Sequence, residues 1–148
     1  MTTPPEVVAM LAGSPAPGAW EPMFPLLTVD DAGFPHMCLL SRAELDADGR
    51  RVYAVLASRN TIANVRRDGK AAVVAVGADT AVYIKLSVTE SIDDDDWLGV
   101  ACEVVSVKRD SLHVPLRPPQ YLVTEAVPVT EDWARSERLL ARLARRPG

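Results

Sequence analysis

Apolar residues recur at two different periods along this chain, and the changes of period mark its elements. The clearest alternation is "TAVYIKLSVTES", residues 80–91, where Val82, Ile84, Leu86 and Val88 take turns with Tyr83, Lys85 and Ser87. A period of two predicts a strand with one face inward and the other toward solvent or a partner. Just before it, "KAAVVAVG" is apolar without alternation and predicts a strand buried on both faces. Before that, "NTIANVRRDG" changes period. Ile62 and Val65 lie three apart on one face, with Arg66, Arg67 and Asp68 on the other, and Gly69 can end the helix in the left-handed conformation.

The remaining segments extend the pattern. "PPEVVAMLAG" predicts a short helix capped by Thr3, with Pro4 and Pro5 in its first turn and Gly13 after it. "MFPLLTV" and "HMCLLSR" flank the turn "DDAGFP" and predict a hairpin. "AELDADGR" reads as a turn, and "RVYAVLAS" as a third strand. "IDDDDW" reads as an acidic turn and "LGVACEVVSVKR" as a strand. "DSLHVPLRPPQ" reads as a proline-stiffened loop and "YLVTEAVPV" as a last strand. Thr130 is the expected cap of a final helix over 130–148, with Trp133, Leu139, Leu140 and Leu143 on its apolar stripe. Its acids come first and its arginines last, as the helix dipole favours. Six or seven strands joined by short turns, one short internal helix and a helix at each end predict a mainly β, antiparallel barrel or sandwich.

Composition narrows the function classes. A chain of 148 residues predicts a single domain over 1–148, with residues 1–22 as an N-terminal helix and loop. The net charge of -4 argues against nucleic acid, whose binders need a basic face to displace phosphate counterions. No apolar run approaches a membrane span, and no basic segment precedes an apolar run at the start, so neither a membrane partner nor a secretory leader is expected. Two cysteines, Cys38 and Cys102, form no CxxC or disulfide framework, which fits a cytoplasmic protein with free thiols. Two His and two Cys so scattered predict no metal site. The run Asp93 to Asp96 lacks the ligand spacing of a calcium loop. No GxSxG appears, so a hydrolase is not expected.

One stretch offers chemistry. Ser58, Arg59, Asn60 and Thr61 stand between the end of a strand and the start of a helix. Such a junction gathers free backbone N–H groups at the positive end of the helix dipole. Ser58 and Thr61 add hydroxyl donors, and Arg59 adds a guanidinium fork suited to phosphate. The plainer alternative is a helix cap beside a solvated arginine.

Residues 33–77, "GFPHMCLLSRAELDADGRRVYAVLASRNTIANVRRDGKAAVVAVG", resemble the pyridoxamine 5'-phosphate oxidase-like, FMN-binding split-barrel family. The likeness lies in the order: "dG-x-P", an apolar strand, a "dG" turn, a strand ending in Ser-Arg, a short helix, then an apolar strand. It implies an antiparallel split β-barrel that forms a homodimer, with FMN in grooves between the subunits. By position, His36, Met37, Cys38, Leu39, Ser41 and Arg42 would run along the isoalloxazine ring and phosphate. Ser58, Arg59 and Asn60 occupy the family's Ser-Arg-Lys phosphate motif, with Thr61 beside them. Tyr83 stands where oxidases place a flavin-contacting Gln.

The departures from the family pattern matter. Asn60 replaces the phosphate lysine, which removes a charge-assisted hydrogen bond worth roughly 1.5–3 kcal/mol if buried. No Arg or His after Tyr121 matches the oxidase substrate residues, so pyridoxamine 5'-phosphate oxidase activity itself is not expected. Two readings follow. One is an FMN-dependent oxidoreductase acting on a small molecule, in which the cofactor carries the hydride and no catalytic acid or base is named. The other is a non-enzymatic dimer of the same barrel, a sensor or storage protein whose groove is empty or repurposed. A deazaflavin or haem is a lesser alternative to FMN.

Overall fold

The computed structural model describes residues 1–144. The chain runs α1 (Pro5–Leu11), β1 (Trp20–Pro22), β2 (Phe24–Val29), β3 (Pro35–Leu40), β4 (Leu45–Ala47), β5 (Arg51–Leu56) and α2 (Arg59–Asp68). It continues through β6 (Lys70–Val76), β7 (Thr80–Asp94), β8 (Trp97–Ser111), β9 (Gln120–Leu122), α3 (Val127–Thr130) and α4 (Trp133–Ala144). Seven strands form one antiparallel sheet in the order β3-β2-β6-β7-β8-β5-β4, and β1 pairs with β9 in a separate two-stranded ribbon.

The edge strands of that order, β3 and β4, are consecutive in the chain, joined by residues 41–44. Five residue steps reach at most about 18 Å. A flat seven-stranded sheet would hold its edges about 29 Å apart. The sheet therefore curls until its edges meet, and the result is an antiparallel split β-barrel. Ile84, Val82, Val73, Leu26, Leu56 and Leu98 are among the side chains that fill it.

A second core lies outside the barrel. Leu139, Leu140 and Leu143 of α4 pack on Tyr53, Val55, Ile92 and Ala101. The helix comes close at Gly99, where an added Cβ would stand 3.2 Å from Leu143 Cδ1. Burial on both faces thus falls to β5, with Val52 to Leu56 all buried, and not to β6. In β6 only Val73 and Ala75 are buried, and Ala71, Ala72, Val74 and Val76 are half-buried.

Several other expectations are corrected. "AELDADGR" contains a strand, β4, which pairs with β5. "YLVTEAVPV" divides into β9 and the helix α3, because Pro128 sits in a first helical turn, where its missing N–H costs nothing. The acidic turn shrinks to Asp95 and Asp96, since β7 continues to Asp94. Asp95 takes φ 52, a value that aspartate tolerates. Thr130 belongs to α3, and Asp132 caps α4 by accepting from the Arg135 N–H at 3.3 Å. Thr3 is not the side-chain cap of α1, whose N-cap is Pro4. The end of the expected last helix, residues 145–148, lies outside the described residues.

Candidate functional site

The junction of β5 and α2 is built by local rules. Ser58 takes an extended conformation (φ -72, ψ 121) and so starts the helix at Arg59. Its side chain makes no capping bond. The Ile62 N–H closes on the Ser58 carbonyl at 2.9 Å. The N–H groups of residues 59–61 precede that bond and have no partner within the helix. At the other end Gly69, with φ 64, donates to the Val65 carbonyl at 2.7 Å. Ile62 and Val65 anchor the helix on the barrel, and Asn64 Nδ2 donates to Thr28 Oγ1 at 3.0 Å in a buried polar contact.

Two clefts flank this helix start. The first is a cavity of about 140 Å³ in the split of the barrel, between β3 and the end of β5. Cys38, Leu39, Ser58 and Thr61 line it, as does Trp97 at the start of β8. The second, about 300 Å³, lies on the hairpin side of α2 and contains His36, Asn60 and Arg67, with Asp30 and Asp31.

The residues singled out in the sequence are therefore divided. Cys38, Leu39, Ser58 and Thr61 come together at the first cleft, and His36 and Asn60 at the second. Met37 and Tyr83 lie on the outer face of the sheet, exposed. Arg59 is exposed at the helix start and has no ion pair or hydrogen bond among the described residues. Ser41 is buried against Glu44. Arg42 is not brought to this corner. Its guanidinium grips Glu21 (Nε to Oε1, 2.7 Å; Nη2 to Oε2, 3.2 Å) and donates to the Ala12 and Ser14 carbonyls, which pins the N-terminal loop.

Polar atoms around the corner are left over. Thr61 Oγ1 and His36 Nε2 are buried without a hydrogen-bond partner. A buried donor or acceptor in that state costs about 1–3 kcal/mol. Burial pushes the Cys38 thiol up, tempered by the nearby Thr61 hydroxyl and reinforced by Glu44. The Thr61 contact is close enough to perturb the thiol, yet it does not have hydrogen-bond geometry. Cys38 is thus a protonated thiol, with no cation beside it to make it a nucleophile.

The sequence reading missed Glu44, Glu131 and Ser136, which share the first cleft. Glu44 Oε2 accepts from the Ser41 N–H at 2.6 Å and from Ser41 Oγ at 2.9 Å. Burial raises its carboxyl above the usual range, the Ser41 bonds lower it, and Glu131 raises it further. Ser136 Oγ is another buried, unpartnered hydroxyl. A signal for Glu44 was present, since "SRAE" carries the Ser-x-x-Glu spacing in which a carboxylate reaches back to a backbone N–H. Glu131 and Ser136 arrive only through the packing of the C-terminal segment.

No family model matches the chain. It is similar to nitrilotriacetate monooxygenase component B from Mycobacterium thermoresistibile (TM-score 0.56, 14% identity, 73% of this chain and 79% of that one). It is likewise similar to the styrene monooxygenase flavin reductase from Pseudomonas putida S12 (TM-score 0.54, 9% identity, 72% and 89%). The fold is the antiparallel split β-barrel. An FMN-binding protein from Syntrophomonas wolfei shares this split barrel (TM-score 0.50, 14% identity, 64% and 78%). In sequence, the chain is similar to the uncharacterized protein YclD of Bacillus subtilis (strain 168). The two are 28% identical in a 127-position alignment that covers 76% of this chain and 82% of that protein. Among the described residues, no helix of this split barrel is long and apolar enough to cross a membrane.

Proposed function

We propose that this split barrel binds a flavin, FMN in the first instance, and acts as a cytoplasmic oxidoreductase on a small molecule. The observation that carries the reading is the surplus of anion donors at the start of α2. Among the described residues, Arg59 is unpaired, Ser58 does not cap its own helix, and the Thr61 hydroxyl is buried without a partner. A phosphate would accept from the free N–H groups of residues 59–61, from these hydroxyls and from the Arg59 fork. The residues present thus fit the group, although Asn60 offers an amide where the family pattern has a lysine. Arg42 is excluded from the cradle by its bonds to Glu21. The likeness to flavin reductases and an FMN-binding protein supports the same reading.

The bound flavin would supply hydride transfer. The chain would supply position and exclusion of water. The edge of β3, with Met37 and Leu39 facing outward, would lie along the ring. The exposed apolar side chains around it would be covered by a second copy of the chain, so that the site is completed in a homodimer.

The test is a titration of FMN fluorescence. Wild type is expected to quench it saturably. Arg59→Ala is expected to weaken binding by about one to two decades, the equivalent of losing one charge-assisted contact. Equal affinity in both proteins would remove the phosphate assignment. A second reading, a non-enzymatic dimer with a repurposed groove, is favoured by Asn60 at the lysine position, and absence of any FMN binding would select it.

A further inference from the structure

We propose that the cleft between β3 and β5 is a subsite for a small molecule, about one ring in size, that carries a protonated nitrogen such as an amidinium or a primary ammonium. The size follows from the cavity volume of about 140 Å³. Cavities near that volume hold one benzene-sized ring. Leu40, Val55 and Trp97 give it apolar walls.

The charge follows from the polar groups. Glu44 and Glu131 both line the cleft, and no lysine or arginine does. Arg135 stacks on Trp97 at 4.1 Å, but Asp94 and Asp96 hold its guanidinium. Glu44 is oriented by Ser41, and both of those bonds fall on Oε2, leaving Oε1 outside them. Independently of the acids, the Ser136 hydroxyl lines the same cavity, wholly buried and unpartnered. An anion entering here would meet two carboxylates. A neutral hydrocarbon would leave the Ser136 hydroxyl unsatisfied. A nitrogen cation with several N–H donors satisfies both sets, with a flat body against the apolar wall. Calling the ligand a substrate rests on the flavin reading, whereas its binding does not.

The test uses the full chain without flavin and three probes of nearly equal size: benzamidine, benzamide and benzoate. Binding is followed by calorimetry and by the fluorescence of the wall tryptophan. Benzamidine is expected to saturate the site, benzamide to bind at least tenfold more weakly, and benzoate not to bind. Glu44→Gln and Glu131→Gln are each expected to weaken benzamidine at least tenfold. Glu131 is exposed, so its replacement leaves folding unchanged and keeps the result readable if the Glu44 variant unfolds. Benzoate binding as tightly as benzamidine overturns the proposal, as does benzamidine affinity unchanged in the Glu131 variant. FMN titration of the same samples separates the two claims. Benzamidine binding without FMN binding would refute the flavin reading alone, and the converse would refute this subsite alone.

Discussion

The outer surface of the barrel has two halves, and they differ in what covers them. Over β5 and the start of β8, α4 lays Leu139 and Leu143 on Gly99 and Ala101, and everything beneath is dry. Among the described residues, no element packs on the outer face of β3, β2, β6 and the start of β7. Met37 is 58% exposed, Leu39 46% and Tyr83 36%. The inward residues of these bare strands are as buried as any in the molecule, Val82 and Ile84 at 0%. The same alternation that seals the inside therefore leaves an apolar face outside, contiguous with the edge strand of the candidate site. Exposed apolar patches of this kind are where proteins meet partners or ligands, and the homodimer proposed above would cover this one. The covered half shows what such a face requires, and the bare half lacks it within one chain.

The two halves should respond differently to substitution. Leu143→Ala, in the covered half, is expected to cost about 2–5 kcal/mol and to lower the thermal midpoint by several degrees at least. An unchanged midpoint would mean that α4 is not docked as described. In the bare half Leu39→Asp is expected to leave the circular dichroism spectrum unaltered and shift the mass in solution from two chains to one. A mass of one chain for wild type would contradict the assignment of that face.

A smaller effect sharpens the boundary between the halves, where Glu44 lies. Burial raises its carboxyl above the ordinary range, so the folded state holds the proton more tightly than the unfolded one. The stability this adds is fully present below the unfolded pKa and is lost as pH rises through the folded value. Asp48, held low mainly by the Tyr53 and backbone bonds that outweigh its burial, has the opposite sign. The readout is therefore the difference between wild type and Glu44→Gln. That difference should decline from acid toward neutral pH. A flat difference would place Glu44 in water.

Much of the fold was legible because long elements average over many positions. The alternation across Val82 to Leu86 and the helix ended by Gly69 needed no tertiary information. Short elements failed for the same reason. Leu45–Ala47 and Gln120–Leu122 have three residues each, too few to show a period. Pro128 reads equally as the end of a strand or the first turn of a helix. Burial on both faces was assigned to β6 because its composition is apolar, while the helix that produces such burial packs on β5 from far along the chain. The place of Ser58, Arg59 and Thr61 at a strand-to-helix junction was legible because a strand end and a helix start are local. The division into two clefts was not, because it depends on which side of α2 faces the hairpin. Arg42 was misplaced because its partner Glu21 is distant in sequence. Glu131 and Ser136 meet the corner only after the chain has gone round the barrel.

The central claim is a flavin held where the bare apolar face meets the start of α2, completed by a second copy. Sedimentation velocity of the protein with FMN, followed at the flavin absorption band, tests it most directly. The band is predicted to travel with the two-chain species in wild type and to stay with free FMN in Leu39→Asp. Flavin absorbance that never moves with wild-type protein, or that moves equally with a single chain, would contradict it.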